Sequence, residues 1–435
     1  MPTMREHHEA LSRSAAVEPS GGVDSLRRRY RDVRGMTEHL AAPLSPEDCQ
    51  VQSMPDASPV KWHLAHTSWF FETFLLGPSL EGYEVFHPSF CYLFNSYYDA
   101  VGPRHPRPRR GLLTRPGLEE VYAYRAAIDG AVERYLDSVG EAPPESIAAV
   151  IELGLNHEQQ HQELILTDVK HALAQNPSRP AYRVGAAPAL DRPTQPLHWR
   201  PFAGGLHWVG HEGPGFSFDN EGPRHRVYLE DFELASRAVT NGEFLSFMDD
   251  GGYSRPELWL SDGWNCAQAQ GWEAPLYWEH LDGRWWTMTL GGFRPVALSE
   301  PVCHVSYYEA DAYARWAGAR LPAEAEWETA VRGQELRGRF LESGSFHPRP
   351  AEDGLGLAQC FGDVWEWTRS PYGPYPGMQP AAGALGEYNA KFMCNQLVLR
   401  GGSCATPGSH IRPTYRNFFP PEARWQFSGI RLARS

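Results

Sequence analysis

The chain has 435 residues and a formal net charge of −13. That length predicts two or three domains rather than one core. The negative charge excludes nucleic acid as a general partner, because phosphate binding needs a basic surface. No apolar run is long enough to cross a bilayer, so no membrane association is expected.

The first half of the chain carries the pattern of a helical protein. Residues 1–23 are polar and lack the apolar core of a secretory signal, so a loose tail is expected there. Within 24–178 the apolar periodicity and the helix-start signals predict four long helices, at 25–40, 58–76, 116–139 and 145–174. A long aromatic segment, 86–116, separates the second helix from the third, and loops of that length are often functional. This arrangement is typical of a four-helix bundle.

The second half has a different composition. Residues 179–198 include a linker rich in Pro and Ala, and 199–435 are rich in Gly and aromatic residues with dense turn signals. Helices are expected only at 306–316 and 323–331. We therefore predict an α+β multidomain protein, in which a helical bundle precedes a domain that is poor in regular secondary structure. The seven scattered cysteines include no C-x-x-C pair and favour the reducing cytoplasm.

Two pairs of histidines lie in the predicted helices. His157 and His161 are four residues apart and share one helix face. One histidine of the pair His63 and His66 would complete a three-imidazole metal site with open coordination positions. The spacing does not choose between His63 and His66.

The chemistry of that site stays open on spacing alone. Two imidazoles buried without partners would cost about 1–3 kcal/mol each, and a bound metal would remove that cost. The string HEQQH at 157–161 also fits the H-E-x-x-H pattern of zinc proteases. A zinc hydrolase is therefore an alternative.

Further motifs add a resemblance to a known family. The first half resembles the DinB-like bundle of the iron-dependent sulfoxide synthases of ergothioneine biosynthesis, on the strings WHLAH (62–66) and HEQQH (157–161). The second half resembles the formylglycine-generating-enzyme or sulfatase-modifying-factor fold, a C-type-lectin-like domain. Its strings are DNEGP (219–223), VTN (239–241), RLPAEAEWE (320–328), GDVWEW (362–367), RGGS (400–403) and GIR (429–431).

The resemblance implies a cofactor, a reaction and a set of site residues. The cofactor is Fe(II), held by His66, His157 and His161. The family uses O2 to join a thiol to the imidazole of hercynine (Nα-trimethylhistidine) and to oxidise the sulfur, which gives a hercynylcysteine sulfoxide. Tyr97 and Tyr98 of the long aromatic segment are candidate catalytic residues, and at least one is expected to donate a proton or a hydrogen bond.

Candidate substrate contacts lie in both halves. Asn417 matches a family residue that contacts hercynine, and Phe418 beside it offers an aromatic face for the quaternary ammonium. Gln160 is a candidate hydrogen-bond partner of the imidazole. Arg104 and Arg107, with Arg110 near them, are candidates for binding a substrate carboxylate.

One departure from the family pattern concerns the thiol. Members that use γ-glutamylcysteine carry Trp-Asp after the Asn that matches Asn417, and they carry arginines where this chain has Tyr97 and Tyr98. This chain has Phe418 and Phe419 instead, so L-cysteine is the expected thiol.

Several alternatives to this reaction remain open. One is the same reaction with γ-glutamylcysteine, and another is an ovothiol-type synthase that makes 5-histidylcysteine sulfoxide. A non-catalytic lectin-like binding protein is a third, although it would not need histidines on the inner face of a bundle. Homo-oligomer formation also stays open.

Other aromatic and charged motifs of the second half are expected to be structural. Trp327, Trp365 and Trp367 should belong to the core, and charged residues around them, including Arg320 and Arg400, should form ion pairs. Asp363 stands where the fold more often has Asn, and the sequence predicts no effect of that change.

Overall fold

The computed structural model describes residues 22–141, 143–184, 195–352, 354, 356–381 and 383–435. Residues 1–21 of the expected tail and 185–194 of the expected linker lie outside the described residues. The chain divides into two compact units. Unit 1 comprises Met1–Gln175, Glu212–Asn220 and Gly377–Lys391, and unit 2 comprises Asn176–His211, Glu221–Pro376 and Phe392–Ser435. Over the described part of the chain, no helix combines the length and apolarity that a bilayer crossing demands.

The described part of unit 1 contains the four long helices that the sequence predicts, together with a short helix before the third of them. They are α1 Val23–Ala41, α2 Val60–Phe71, α3 Phe90–Phe94, α4 Leu118–Ser138 and α5 Glu145–Gln175. After α2 the chain continues through a π-helical turn, Glu72–Leu76, and a short α-helical turn, Gly77–Ser79, so the helical stretch ends three residues beyond the predicted end at residue 76. The long aromatic segment forms α3 and a 3₁₀ turn, Arg107–Leu112.

Helix α2 is the central helix of unit 1. All twelve of its residues are buried, and it contacts α4 and α5. A helix that is covered on every side belongs to the interior of a bundle. Gly154 lets α5 approach α2 closely, since a Cβ at this position would lie 2.6 Å from Cε1 of Phe71. The close approach places His157, one turn further along α5, beside the histidines of α2.

Unit 2 is built from short strands and four helices. The strands are β1 Trp199–Phe202, β2 Gly205–Val209, β3 His225–Leu229, β4 Phe232–Ala235, β5 Trp278–Leu281, β6 Arg284–Thr289, β7 Gly292–Pro295, β8 Gly338–Arg339, β9 Phe361–Gly362, β10 Trp365–Pro371, β11 Leu397–Arg400, β12 Asn417–Phe419, β13 Ser428–Gly429 and β14 Ala433–Arg434. The helices are α6 Asn241–Asp249, α7 Ser261–Gln270, α8 Tyr307–Trp316 and α9 Glu324–Val331. The largest sheet has the order β12-β11-β10-β13, in which only the β10–β13 pair is parallel.

Buried tryptophans and ion pairs form the core of unit 2. Trp327, Trp365 and Trp367 are at most 1% exposed, which confirms their predicted place in the core. Arg400 is fully buried and its Nη2 lies 2.8 Å from Glu324 and 2.9 Å from Glu328. The expected ion pairs are thus present, and a buried arginine that is bonded to carboxylates avoids the cost of an unpaired charge.

The structure explains why an aspartate is tolerated at position 363. Asp363 has a φ of +57°, in the left-handed region that Asn and Asp adopt more readily than other side chains. Its Oδ1 accepts a hydrogen bond from the backbone N–H of Arg349 at 2.8 Å. Burial raises the pKa of the Asp363 carboxyl from its ordinary value of 3.8 to about 7.

This raised pKa predicts a pH-dependent stability that Asp363→Asn should remove. Between pH 4 and 7 the folded protein keeps the proton that the unfolded chain has released, so the free energy of unfolding falls as the pH rises. We expect the variant to match the wild type at pH 4 and to exceed it by about 2–4 kcal/mol at pH 8. Urea unfolding at both pH values, with exposed Asp250→Asn as the control, measures the effect. Parallel pH profiles for Asp363→Asn and the wild type would contradict it.

Candidate metal centre

Three histidines from two helices converge in the interior of unit 1. His66 comes from α2, and His157 and His161 come from successive turns of α5. One ring nitrogen of each lies within 4.8 Å of the others. Nε2 of His157 is 3.2 Å from Nε2 of His66 and 3.1 Å from Nε2 of His161. All three rings are buried.

Packing fixes the orientation of the His66 ring. The ring is stacked between Trp62, with centroids 4.5 Å apart, and Trp69, with centroids 5.3 Å apart. Its Nδ1–H donates a hydrogen bond to the carbonyl of Phe94 at 2.6 Å. The hydrogen-bond pattern therefore assigns the proton to Nδ1 and leaves a lone pair on Nε2, facing His157.

The three rings are held in their neutral form. Burial lowers the pKa of His157 to about 3 and lowers the pKa of His66 and of His161 well below the ordinary value. Nδ1 of His157 is buried and has no hydrogen-bond partner among the described residues. Neutral imidazoles are the form that binds metals. Lone pairs on neighbouring nitrogens repel each other when no cation lies between them.

The spacing of the three nitrogens fits one metal ion. Two nitrogens that are each about 2.1 Å from one ion, at an angle of roughly 90–109°, lie about 3.0–3.4 Å apart. The observed separations of 3.1 and 3.2 Å fall in that range. In the part of the chain that the structure describes, no carboxylate or thiol joins the group. An all-imidazole set suits iron, zinc, copper or nickel.

The structure separates His63 from His66, which the spacing does not. Nδ1 of His63 lies 2.8 Å from Nδ1 of His161, on the side of that ring away from His157. Nε2 of His63 lies 3.0 Å from Oδ2 of Asp168. His63 thus contacts His161 on the side of its ring that faces away from His157.

The carboxylate of Glu158, which completes the zinc-protease pattern, is bound by residues outside the triad. Its carboxylate is fully buried and accepts hydrogen bonds from Arg34 at 2.9 Å and Arg125 at 3.0 Å. A general base must reach a water molecule beside the metal, and both oxygens of Glu158 are occupied elsewhere. The zinc-hydrolase alternative therefore lacks the general base that Glu158 would have to provide.

The two candidate tyrosines lie one ring away from the triad. Tyr97 and Tyr98 are stacked with centroids 4.8 Å apart. Tyr98 is fully buried and packs on Trp69, which itself stacks on His66. The phenol of Tyr98 is buried and is hydrogen-bonded to the phenol of Tyr97. Burial raises the pKa of both phenols, so both keep their protons at neutral pH.

The site contains a third tyrosine that sequence reasoning missed. Tyr388 belongs to the segment Gly377–Lys391 of unit 1, and its ring meets His157 edge to face with centroids 5.5 Å apart. Its hydroxyl donates to Oε1 of Gln160, and its ring stacks on Phe218 at 5.4 Å. The segment has no helical or strand periodicity and lies 228 residues from Gln160, so the sequence carried no signal for this contact.

The same segment binds the turn that carries Tyr97 and Tyr98. The carboxylate of Glu387 accepts hydrogen bonds from the backbone N–H groups of Asp99 at 3.0 Å and Ala100 at 2.8 Å. Lys391 donates to the Tyr97 carbonyl and to Asp99. The position of both tyrosines thus depends on residues from far along the chain.

The candidate arginines occupy different environments. Arg104 pairs with Asp99 at the surface, and Arg107 donates to the carbonyl of Asp56. Arg110 is buried, with its guanidinium 3.4 Å from the centroid of the Trp62 ring. Of the three, Arg110 is thus linked most directly to the triad, because Trp62 stacks on His66.

Asn417 and Phe418 lie in unit 2, at the start of β12. The Asn417 side chain accepts a hydrogen bond from the backbone N–H of Phe418 at 2.9 Å. The Phe418 ring stacks closely on Tyr372, with centroids 4.0 Å apart. Both side chains are half-buried.

Family models match both halves of the chain. The DinB superfamily matches residues 29–165, and the sulfatase-modifying factor enzyme 1-like domain matches 201–353 and 343–435. These matches confirm the predicted fold class, a DinB-like helical region followed by an α+β domain of the sulfatase-modifying-factor type.

Curated relatives match almost the full length. The chain is 35% identical to hercynine oxygenase of Mycobacterium tuberculosis over 87% of this chain and 91% of the relative. It is 34% identical to hercynine oxygenase of Mycolicibacterium smegmatis over 88% and 92%, respectively. The formylglycine-generating enzyme of Streptomyces coelicolor is 32% identical but matches only 51% of this chain. With both domain types in one chain, the buried histidine triad and this near full-length similarity, the chain belongs to the hercynine oxygenase family.

Proposed function

We propose that this protein is an Fe(II)-dependent sulfoxide synthase that couples L-cysteine to hercynine with O2. The C–H bond of the imidazole and the S–H bond of the thiol are replaced by a C–S bond. One oxygen atom ends on sulfur, and the other leaves as water with the two hydrogens. The observation that carries the proposal is the buried triad of neutral imidazoles in a chain of this family.

The triad is the proposed cofactor site. Iron(II) bound by His66, His157 and His161 would supply O2 activation and positions for the thiol and the imidazole. Three neutral ligands leave the metal its full charge, which favours binding of a thiolate. The residues around the triad exclude water, since α2 and the facing stretch of α5 are buried. Binding both substrates beside each other turns their encounter into a local event.

We assign proton donation to the tyrosine pair. Tyr98 packs on Trp69, which stacks on His66, and its phenol is hydrogen-bonded to that of Tyr97, so the two hydroxyls form one donor pair near the triad. The raised pKa of Tyr98 keeps the proton in place until a strongly basic oxygen forms nearby. The Tyr388 hydroxyl, by contrast, is engaged with Gln160.

The substrate contacts are also part of the proposal. Gln160 has a hydrogen-bonding amide beside the triad, and its Oε1 faces Tyr388. The assignment of Asn417 and Phe418 to hercynine rests on the sequence motif. Arg104 and Arg107 are proposed to bind the cysteine carboxylate, for which Arg104 would exchange its exposed partner Asp99. An exposed ion pair of this kind contributes little, so such an exchange costs little.

L-Cysteine is the proposed thiol because Phe418 and Phe419 replace the acidic motif that accompanies γ-glutamylcysteine. Phe419 stands where that acid would be, and its ring meets Trp425 edge to face with centroids 5.7 Å apart, so the position is apolar and aromatic. We also propose that the reaction takes place in the cytoplasm. The seven cysteine side chains are all thiols, as a reducing compartment would keep them.

Replacement of the tyrosines by phenylalanine should slow the reaction without unfolding the protein. The double variant removes both members of the Tyr97–Tyr98 hydrogen bond and leaves no buried partner unsatisfied, so its cost in stability should be about 1 kcal/mol. We expect Tyr97→Phe/Tyr98→Phe to lower the rate of sulfoxide formation by about 10²–10⁴-fold, with Fe(II) affinity within about twofold of wild type. Tyr92→Phe, at an exposed position of the same segment, is the control. Full sulfoxide formation by the double variant would remove the tyrosines from the mechanism.

Anaerobic reconstitution with Fe(II) tests the function as a whole. The loaded protein is given O2 and hercynine with L-cysteine in one reaction and with γ-glutamylcysteine in another, and a third reaction supplies histidine with L-cysteine. Mass spectrometry and NMR of the product identify the thiol and the ring carbon that is attacked. A sulfoxide formed only with γ-glutamylcysteine would overturn the choice of thiol. Coupling of cysteine to histidine at the other ring carbon would instead indicate an ovothiol-type synthase, and no coupled product would overturn the proposal.

A further inference from the structure

A line of buried polar groups leads away from the triad behind His161. It runs through His63 of α2 to Asp168 of α5, and both are at most 5% exposed. Nδ1 of His161 meets Nδ1 of His63 at 2.8 Å, and Nε2 of His63 meets Oδ2 of Asp168 at 3.0 Å. Neither His63 nor Asp168 belongs to the group that converges on the metal position.

The order of donors and acceptors along this line follows from chemistry. A carboxylate oxygen only accepts, so Nε2 of His63 carries the proton that it donates to Asp168. The neutral His63 ring then has a lone pair on Nδ1, which accepts the Nδ1–H of His161. Nε2 of His161 is therefore left without a proton, and this is the nitrogen that faces His157 at 3.1 Å.

Asp168 is itself held in place from two elements. The backbone N–H of Ser58 donates to its Oδ2 at 2.8 Å. The Ser58 hydroxyl in turn accepts from Nη1 of the buried Arg110 at 2.9 Å. The carboxylate is thus held by a residue just before α2 and by His63 within it.

We propose that His63 and Asp168 are positioning residues that set the protonation and the orientation of His161 for metal binding. A carboxylate bonded through an imidazole to a ligand histidine makes that ligand a better donor and holds it in the binding tautomer. His66 is set in the same way by the Phe94 carbonyl, so two of the three rings have a dedicated partner. The inference rests on the metal site of the proposed function and is independent of the reaction.

Fe(II) affinity of the full-length protein, measured anaerobically against a chromophoric chelator, tests the proposal. We expect Asp168→Asn and His63→Gln each to weaken Fe(II) binding by about 10–100-fold. His171→Gln is the matched control, because His171 lies on α5 and bonds to Ser53 rather than to the triad. The control should bind Fe(II) within about twofold of the wild type.

A second readout separates positioning from a general loss of structure. The absorption spectrum of the Co(II)-loaded protein at saturating cobalt reports the ligands directly, and it should change in Asp168→Asn and stay unchanged in His171→Gln. Asp168→Asn keeps the shape of the side chain, so measurements on this variant alone are sufficient if His63→Gln does not fold. Wild-type affinity and an unchanged cobalt spectrum in Asp168→Asn would overturn the inference while leaving the proposed function intact. Absence of Fe(II) binding by the wild type would overturn both.

Discussion

Replacement of His157 by alanine is expected to abolish Fe(II) binding and sulfoxide formation together. His157 is the middle member of the triad, and its Nε2 lies 3.1–3.2 Å from both other donors. Without it the remaining two imidazoles form a weak bidentate site, so the affinity should fall by more than about 100-fold. Iron content after anaerobic reconstitution and product formation measure the two losses.

The metal-free protein should tolerate this change better than its holoenzyme does. Nδ1 of His157 has no partner in the part of the chain that the structure describes, so removal of the ring breaks no hydrogen bond at that atom there. Fe(II) at 100 times its dissociation constant should stabilise the wild type by about 2.7 kcal/mol, and it should leave His157→Ala unchanged. His171→Ala, on the same helix, should behave as the wild type. Full activity of His157→Ala would refute the synthase proposal.

Replacement of Glu158 by glutamine is expected to act on stability. The carboxylate joins α5 to Arg34 of α1 and to Arg125 of α4, and all three side chains are at most 3% exposed. Removing one charge from a buried network leaves its partners uncompensated, which costs about 3–5 kcal/mol. Arg34 keeps a second carboxylate, Asp129, at 2.7 Å, so a value near the lower limit is expected. Urea unfolding of the metal-free protein measures the cost.

The pH dependence of this cost has a definite sign. Burial disfavours the ionised carboxylate, but Arg34 and Arg125 outweigh it, and the pKa of Glu158 is lowered. A lowered pKa stabilises the fold above the ordinary carboxyl pKa, and this stabilisation is lost as the pH falls. The difference between Glu158→Gln and wild type should thus be largest near pH 7 and shrink below about pH 4.

A matched control for Glu158→Gln lies two turns earlier on α5. Glu152→Gln changes an ion pair whose other member, Arg29, is about half exposed, and it should cost less than Glu158→Gln. If Glu158→Gln instead kept the stability of the wild type and lost activity alone, Glu158 would have to be a participant in the chemistry.

The helices of unit 1 could be predicted because their signals are local. The apolar periodicity and the capping residues define α1, α2, α4 and α5 to within about two residues at most ends. The pair His157 and His161 follows from the same periodicity, because four residues make about one helical turn. The choice of His66 over His63 required the family motif, since both rings lie on the inner surface of α2.

Contacts between distant parts of the chain could not be predicted in this way. Tyr388 reaches His157 from a segment without any periodic pattern, and the pairing of Glu158 with Arg34 and Arg125 depends on how three helices pack. The H-E-x-x-H pattern suggested that Glu158 is the general base of a zinc hydrolase, whereas its carboxylate pairs with Arg34 and Arg125. The direction of a side chain on a helix that is buried all round is decided by its partners and not by its place in a motif.

The distance along the chain between the triad and Tyr388 has a consequence for biosynthesis. Tyr388 lies 228 residues after Gln160 in the chain. A ribosome that adds about 5–20 residues per second therefore synthesises it roughly 10–45 s after His161, the last histidine of the triad. Helices form within microseconds. The histidines of the bundle can therefore bind a metal ion in the cell before Tyr388, whose ring packs on His157, has been synthesised. Which ion first occupies the triad is then decided by the metal pool around the ribosome as well as by the finished enzyme.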